Sequence, residues 1–138
     1  MSVEKNRGEA ARWLETAGGG LETARVLPSN ARWAHCCFHA QQAAEKALKA
    51  LWYSLDGDPW GHSAARLVDD LSEIDAPAHK GMADLAETAA RLDRYYIPTR
   101  CPNGLPDITP DRAFFEADAR EAIAAARRVL ERVASLIG

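Results

Sequence analysis

The stretch Gln41–Trp52, QQAAEKALKALW, constrains the fold more than any other part of the chain. Ala43, Ala44, Ala47, Leu48, Leu51 and Leu55 recur at three- and four-residue steps, so they line one face of a helix, with Gln42, Glu45, Lys46 and Lys49 on its flanks. Alanines along such a face let a second helix come close, whether from the same chain or from a copy of it. The exposed remainder of this alanine-rich stripe invites dimerisation, and a homodimer is expected, since two-fold pairing is the commonest form of oligomer.

The rest of the chain repeats the helical period. Trp13, Leu14, Ala17, Leu21 and Ala24 stripe a first helix from about Glu4 to Val26, interrupted by Gly18, Gly19 and Gly20. Three glycines cost roughly 3 kcal/mol against three alanines at about 1 kcal/mol each, but the stripe resumes in phase at Leu21, so a continuous, weakened helix is expected. The other explanation for the glycines is a backbone packed too closely for side chains. Ser29 or Asn30 can cap the helix that follows, which runs to about Leu55, and Gly57 suits the left-handed position just past its end. Ser63 caps a short helix from Ala64 to Ile74, and Pro77 opens a fourth that carries Met82, Leu85, Ala89 and Leu92. From Ile97 to Pro110 prolines stand at every fourth position, with an Asn103-Gly104 turn signal, and no helix can run through such a segment. A loop of this length in a compact domain is functional or mobile. Thr109, Pro110 and Asp111 then start a last helix striped by Ile123, Ala126, Leu130, Val133 and Ile137.

No segment reads as a strand. The expected architecture is all-α, an up-and-down bundle of four main helices plus a short accessory helix, with residues 1–138 forming one domain. At 138 residues the chain is long enough to bury a core without disulfides or metals. Seventeen basic against twenty acidic residues give a net charge of −3, which argues against a protein that coats nucleic acid but allows a local basic patch. No apolar run is long enough to span a membrane, the amino terminus does not resemble a signal peptide, and three cysteines do not make a secreted disulfide framework. A cytoplasmic protein with reduced thiols is expected.

Residues that carry chemistry are few. His35, Cys36, Cys37 and His39 suggest a metal site, but further ligands would have to come from Cys101, His62 or His79, and Cys37 falls on the apolar stripe. Neither a metal nor a cofactor is expected. Cys36 and Cys37 lack the basic surroundings of a nucleophilic thiolate, whereas Cys101 follows Arg100. The glycines of the first helix lack the preceding strand that a phosphate-cradling loop needs. Cations and aromatics concentrate in one place only, where Arg91, Arg94 and Arg100 stand close in sequence to Tyr95 and Tyr96. Arginine forks hold phosphates and tyrosines stack on bases, so this is the candidate nucleotide or RNA contact. The plainer alternative is that Arg94 pairs with a carboxylate across the bundle.

FHAQQAAEKALKALW, then GHSAARLVDDL, then RYYIPTRCPNG together resemble the HEPN domain family of small prokaryotic helical proteins. The resemblance covers nearly the whole chain, and QQAAEKALKA and YIPTRCPNG are its most specific pieces. It implies a bundle of four or five helices, a homodimer, and one of two roles: a metal-independent ribonuclease, or the partner of a minimal nucleotidyltransferase in a toxin–antitoxin pair. The ribonuclease motif of the family is an arginine followed four to six residues later by a histidine. Here no histidine follows Arg91 or Arg94 at that spacing; His35, His39, His62 and His79 all precede Arg94. The leading expectation is therefore a non-enzymatic module that binds a nucleotide, RNA or a nucleotidyltransferase through Arg94, Tyr96, Thr99 and Arg100, with His62 nearby. A divergent ribonuclease is the second, and the third is a pure interaction protein whose partner docks on Gln42, Lys46 and Lys49.

Overall fold

The structure is a computed structural model that describes residues 3–26, 32–99, 101 and 104–138, with side chains from Asn6 onward. Seven α-helices lie along these residues: α1 (Val3–Val26), α2 (Trp33–Ser54), α3 (Ala64–Asp69), α4 (Ala76–Met82), α5 (Ala86–Asp93), α6 (Pro110–Ala113) and α7 (Glu116–Ile137). Short 3-10 turns, Asp70–Glu73 and Ala83–Leu85, follow α3 and join α4 to α5. Among the described residues there is no strand, so the expected all-α bundle is what forms. α4 and α5 act together as its fourth arm.

α2 is the centre. Its alanine face meets α1 on one side and α7 on the other, and α3 and α5 close over the remaining flank. α1 runs antiparallel to α2: Gly20 lies beside Ala43, the ring of Trp13 packs 5.5 Å from that of Tyr53, and the Asn6 amide donates to Asp56 at 2.9 Å. Ala40, Ala43, Ala44, Ala47 and Ala50 are fully buried within the single chain. The stripe is used up inside one molecule, so it offers no uncovered remainder to a second copy, and the reason given above for a homodimer falls. Burying Leu48 and Leu51 alongside them contributes on the order of 2 kcal/mol each by transfer from water.

α1 runs unbroken through its glycines. A Cβ at Gly18 or Gly19 would meet nothing within 4 Å, and one at Gly20 would lie an ordinary 3.6 Å from Ala43, so close packing does not require them. Ser63 caps α3 as expected, its hydroxyl accepting from the Arg66 amide at 3.1 Å. The Asp75 carboxylate caps α4 through the Ala78 amide at 2.9 Å, with Pro77 in the first turn.

Three boundaries differ from the sequence reading. Past α2 the left-handed residue is Asp56, at φ 60°, rather than Gly57. Gly57 is required for space, because a Cβ there would stand 2.8 Å from Cε3 of Trp52. The fourth helix breaks at Ala83–Leu85, where Arg132 of α7 donates to the Gly81 carbonyl at 2.7 Å and pairs with Asp84. The last helix does not run on from Pro110. It stops at Ala113, Phe114 and Phe115 are extended, and α7 restarts with the Phe115 amide bound to Asp118 at 2.9 Å. Phe114 turns inward there and meets Tyr95 edge to face, with ring centroids 5.9 Å apart. The proposed caps Ser29 and Asn30 lie outside the described residues; the residue at the start of α2 is Arg32, which supplies no side-chain cap.

Candidate functional site

α2 carries a second, polar row besides its alanines. Gln41, Glu45 and Lys49 follow one another at four-residue steps along one side of the helix; Gln41 and Glu45 meet the connector that leads to α3, and Lys49 reaches under α1. Gln41 and Glu45 are almost entirely buried. Buried polar groups must be bonded, and each of these finds a partner. The Gln41 amide donates to the His62 carbonyl at 3.1 Å, and the Glu45 carboxylate lies 3.2 Å from Nδ1 of His62 and 3.3 Å from Nζ of Lys49. A carboxylate only accepts, so Nδ1 of His62 carries the hydrogen in this contact, and Nε2 makes no hydrogen bond among the described residues.

Asp93, the last residue of α5, fastens the same corner from the opposite side. Its carboxylate accepts from the Ala64 and Ala65 amides, at 2.7 and 3.0 Å, and from the Ser63 hydroxyl at 2.8 Å. These are orphan donors at the start of α3, and a negative group is favoured there. Two carboxylates, from α2 and α5, thus hold the His62–Ala65 turn in place.

The residue that follows this corner in space is Tyr96. Its ring stacks on that of His62, 5.0 Å between centroids and 17° between planes, and on that of Phe38 at 6.5 Å and 26°. The fold therefore brings His62 against the Arg94–Thr99 segment, though the two are far apart in sequence. His62 remains open to solvent, its side chain 59% exposed. Arg94 follows the last residue of α5 as its C-cap and is exposed, and among the described residues no carboxylate pairs with it. The cross-bundle pairing considered for Arg94 is made by Arg91, which binds Glu87 at 3.2 Å and Glu121 at 3.3 Å.

The other expected residues divide. Arg100 lies outside the described residues. Thr99 is buried, and its hydroxyl donates to the Tyr95 carbonyl, so it secures the turn after α5 instead of facing a ligand. Lys49 is not an open flank residue. Its side chain is 11% exposed, paired with Glu45, and its ammonium sits 5.8 Å from the Trp13 ring centroid. Gln42 donates to Gln41 at 2.8 Å, and Lys46 borders a shallow hollow with Trp13 and Tyr53 where α1 meets α2. Of the four-residue thiol and histidine cluster, Cys36 and Cys37 are buried between helices, and no group of three or more potential ligands that could hold a metal occurs among the described residues.

Glu45, Asp93 and Gln41 were missed by the sequence reading, which put Glu45 on a flank of the apolar stripe and gave it no role. The signal was present as a row of polar residues, Gln41, Glu45 and Lys49, at helical spacing within an otherwise apolar helix. Which partner it would meet depended on the path of the connector, and that no local pattern supplies.

The fold and its corner define the class first: a small antiparallel helical bundle with an aromatic and cationic patch where its fourth arm ends. The HEPN domain model matches residues 10–136, and the chain belongs to the HEPN domain family. Among solved structures it is similar to TT1696 from Thermus thermophilus, at 39% identity and TM-score 0.83, covering 92% of this chain and 97% of that one. It is also similar to ST0689, an archaeal HEPN homologue, at 32% identity and TM-score 0.77 over 94% of this chain and 98% of that one. A HEPN domain protein from Thermotoga maritima, tm0613, aligns at 25% identity and TM-score 0.68 over 91% and 96% of the two chains. Among curated proteins, none is similar enough in sequence to count as a match.

Proposed function

We propose that this HEPN chain is a nucleotide- or RNA-binding module whose contact surface is built on Arg94, His62 and Tyr96, with Arg100 on the same segment. The observation that carries the reading is the parallel stack of His62 on Tyr96, beside the end of α5 where the exposed Arg94 lacks a carboxylate partner among the described residues. A base adds to a stack of flat rings with little regard to its identity, and a guanidinium fork takes the phosphate. Pairing with a second copy and with a minimal nucleotidyltransferase belong to the same reading, supported by the family resemblance alone. The test is binding of labelled single-stranded RNA and of ATP to the wild type and to Arg94→Ala, Arg100→Ala and His62→Ala. Loss of roughly tenfold in affinity, with a shallower salt dependence in the arginine variants, is the expected result, because each phosphate contact releases counterions. Equal binding by all four proteins would sink the proposal.

A second reading, metal-independent RNA cleavage, is favoured by one contact. With Nδ1 held by Glu45, Nε2 of His62 is oriented to take a proton. It would accept the proton of a 2′-hydroxyl as that oxygen attacks phosphorus, the bond from phosphorus to the 5′-oxygen would break to leave a 2′,3′-cyclic phosphate, the departing oxygen would take a proton from water, and Arg94 would offset the phosphate charge. New RNA fragments in the presence of chelator, absent with His62→Gln and absent on DNA, would replace binding alone by cleavage. Intact RNA throughout would remove this second reading.

A further inference from the structure

We propose that the groove between the Asp58–Ser63 connector and α3 is a docking site for an arginine- or lysine-bearing segment of a partner protein. The groove encloses about 440 Å³, and its walls include Trp52, Asp58, Trp60, Arg66, Asp70 and Glu73. Trp60 is 86% exposed, the most exposed of the large hydrophobic side chains among the described residues. An indole in that position keeps a wide apolar face in water, and tryptophan is the side chain most often found anchoring an interface.

The charges around it are mostly negative, three carboxylates against the single guanidinium of Arg66. Of the three carboxylates, Asp70 is neutralised by Arg66 at 3.3 Å, and Asp58 and Glu73 form no ion pair among the described residues. Two open carboxylates beside an exposed indole suit an organic cation, which the ring attracts through its face while a carboxylate binds the charge. With Arg66 engaged by Asp70, the two open carboxylates disfavour phosphate, so the groove suits a basic protein segment better than the ligand proposed for Arg94, although His62 borders both. Asp58 lies on the connector and Glu73 on the 3-10 turn after α3, so the acceptors stand on separate elements. That arrangement fits a segment with more than one basic side chain better than a single small amine. The floor is fixed before binding: the Trp52 indole donates to the Leu67 carbonyl at 2.9 Å, and Gly57 packs directly against its ring. A preformed site spares a partner the entropy of ordering it.

The experiment follows the indole N–H signal of Trp60 by NMR while a capped glycine–serine peptide carrying two arginines and one lysine is added. Its counterpart with glutamates at the same positions is titrated in parallel. The basic peptide is expected to shift the Trp60 signal, and Trp60→Ala or the pair Asp58→Asn with Glu73→Gln should weaken its binding roughly tenfold. Glu15→Gln, an exposed change on α1, should leave it unaltered, and RNA binding should survive Trp60→Ala. Because Trp60 is so exposed, its replacement leaves the core untouched. Absence of any shift up to millimolar peptide, equal binding of the acidic peptide, or full binding by the groove variants would each overturn the proposal. Self-association of the protein that disappears in Trp60→Ala would overturn it too, by making a second copy the occupant.

Discussion

The buried Glu45 carboxylate and the exposed His62 ring, 3.2 Å apart, join the interior of the bundle to its candidate binding face. Lys49 holds the other carboxylate oxygen from inside the α1–α2 interface. One side chain therefore has two duties, balancing a largely buried ammonium and fixing an imidazole. Replacing it by alanine strands Lys49 in a poorly solvated place and frees His62. Breaking a buried pair by removing one partner costs about 3 to 5 kcal/mol, and Glu45→Ala should lose stability on that scale in urea unfolding. The double change Glu45→Gln with Lys49→Met should recover much of it, while leaving His62 without its carboxylate. If Glu45→Ala unfolds at the wild-type midpoint, the buried pair is not a structural element.

Asp93 provides a second check on how the site is assembled. It accepts three hydrogen bonds from the start of α3, so Asp93→Ala should cost about 2 kcal/mol, more than the roughly 1 kcal/mol of an ordinary cap. Hydrogen exchange locates the effect. The Ala64 and Ala65 amides should lose protection selectively, since they exchange one fixed acceptor for water, while amides of α2 and α7 keep theirs. Uniform loss along the whole chain would mean that Asp93 acts on global stability and not on this corner.

What could be read from the sequence, and what could not, follows from the range of each interaction. The α2 stripe and the Ser63 cap are local, a few residues long, and their pattern is complete within the sequence. The breaks at Ala83–Leu85 and after Ala113 arise from Arg132 on α7 and from Phe114 turning toward Tyr95, contacts between distant elements. The site divides in the same way. Arg94 and Tyr96 stand out by composition alone. His62 joins them only because Glu45 and Asp93 hold its connector, and both of those look like ordinary helix charges until the fold is known. Lys49 shows the opposite error: its spacing is that of a surface residue, but α1 lies over it.

The paired thiols titrate far from neutrality. Burial pushes Cys37 up to about 12, assisted by the negative charges of Asp118, Cys36 and Glu121, and pushes Cys36 up to about 11. Both are protonated near pH 8, so a thiol reagent should label Cys101 in the native protein and reach Cys36 and Cys37 only after denaturant is added. The sign of the stability effect follows. The folded chain keeps these protons above the ordinary thiol value of 9.0, whereas the unfolded chain gives them up, so the unfolding midpoint should fall as pH rises from about 9 toward 12. Tyr95, raised to about 12 chiefly by burial, adds to the same alkaline loss. Rapid labelling of all three cysteines at pH 8 in the folded state would contradict this.

The glycines divide into those the fold needs and those it does not, and the division can be measured. Gly18 and Gly19 sit within α1 with nothing near the position of a Cβ, so each change to alanine should raise stability by about 1 kcal/mol, the difference in helix propensity. Gly57 lies where a Cβ would approach the Trp52 ring to 2.8 Å and the Ile74 side chain to 3.1 Å. Alanine there must displace the indole that donates to the Leu67 carbonyl, and overpacking of this kind costs about 1 to 3 kcal/mol. Gly57→Ala should therefore lower the urea midpoint and disturb the Trp52 indole N–H signal, while Gly19→Ala raises the midpoint and leaves that signal in place. Stabilisation by both would show that the connector can shift away from Trp52, and the floor of the neighbouring groove would then not be fixed before a partner arrives.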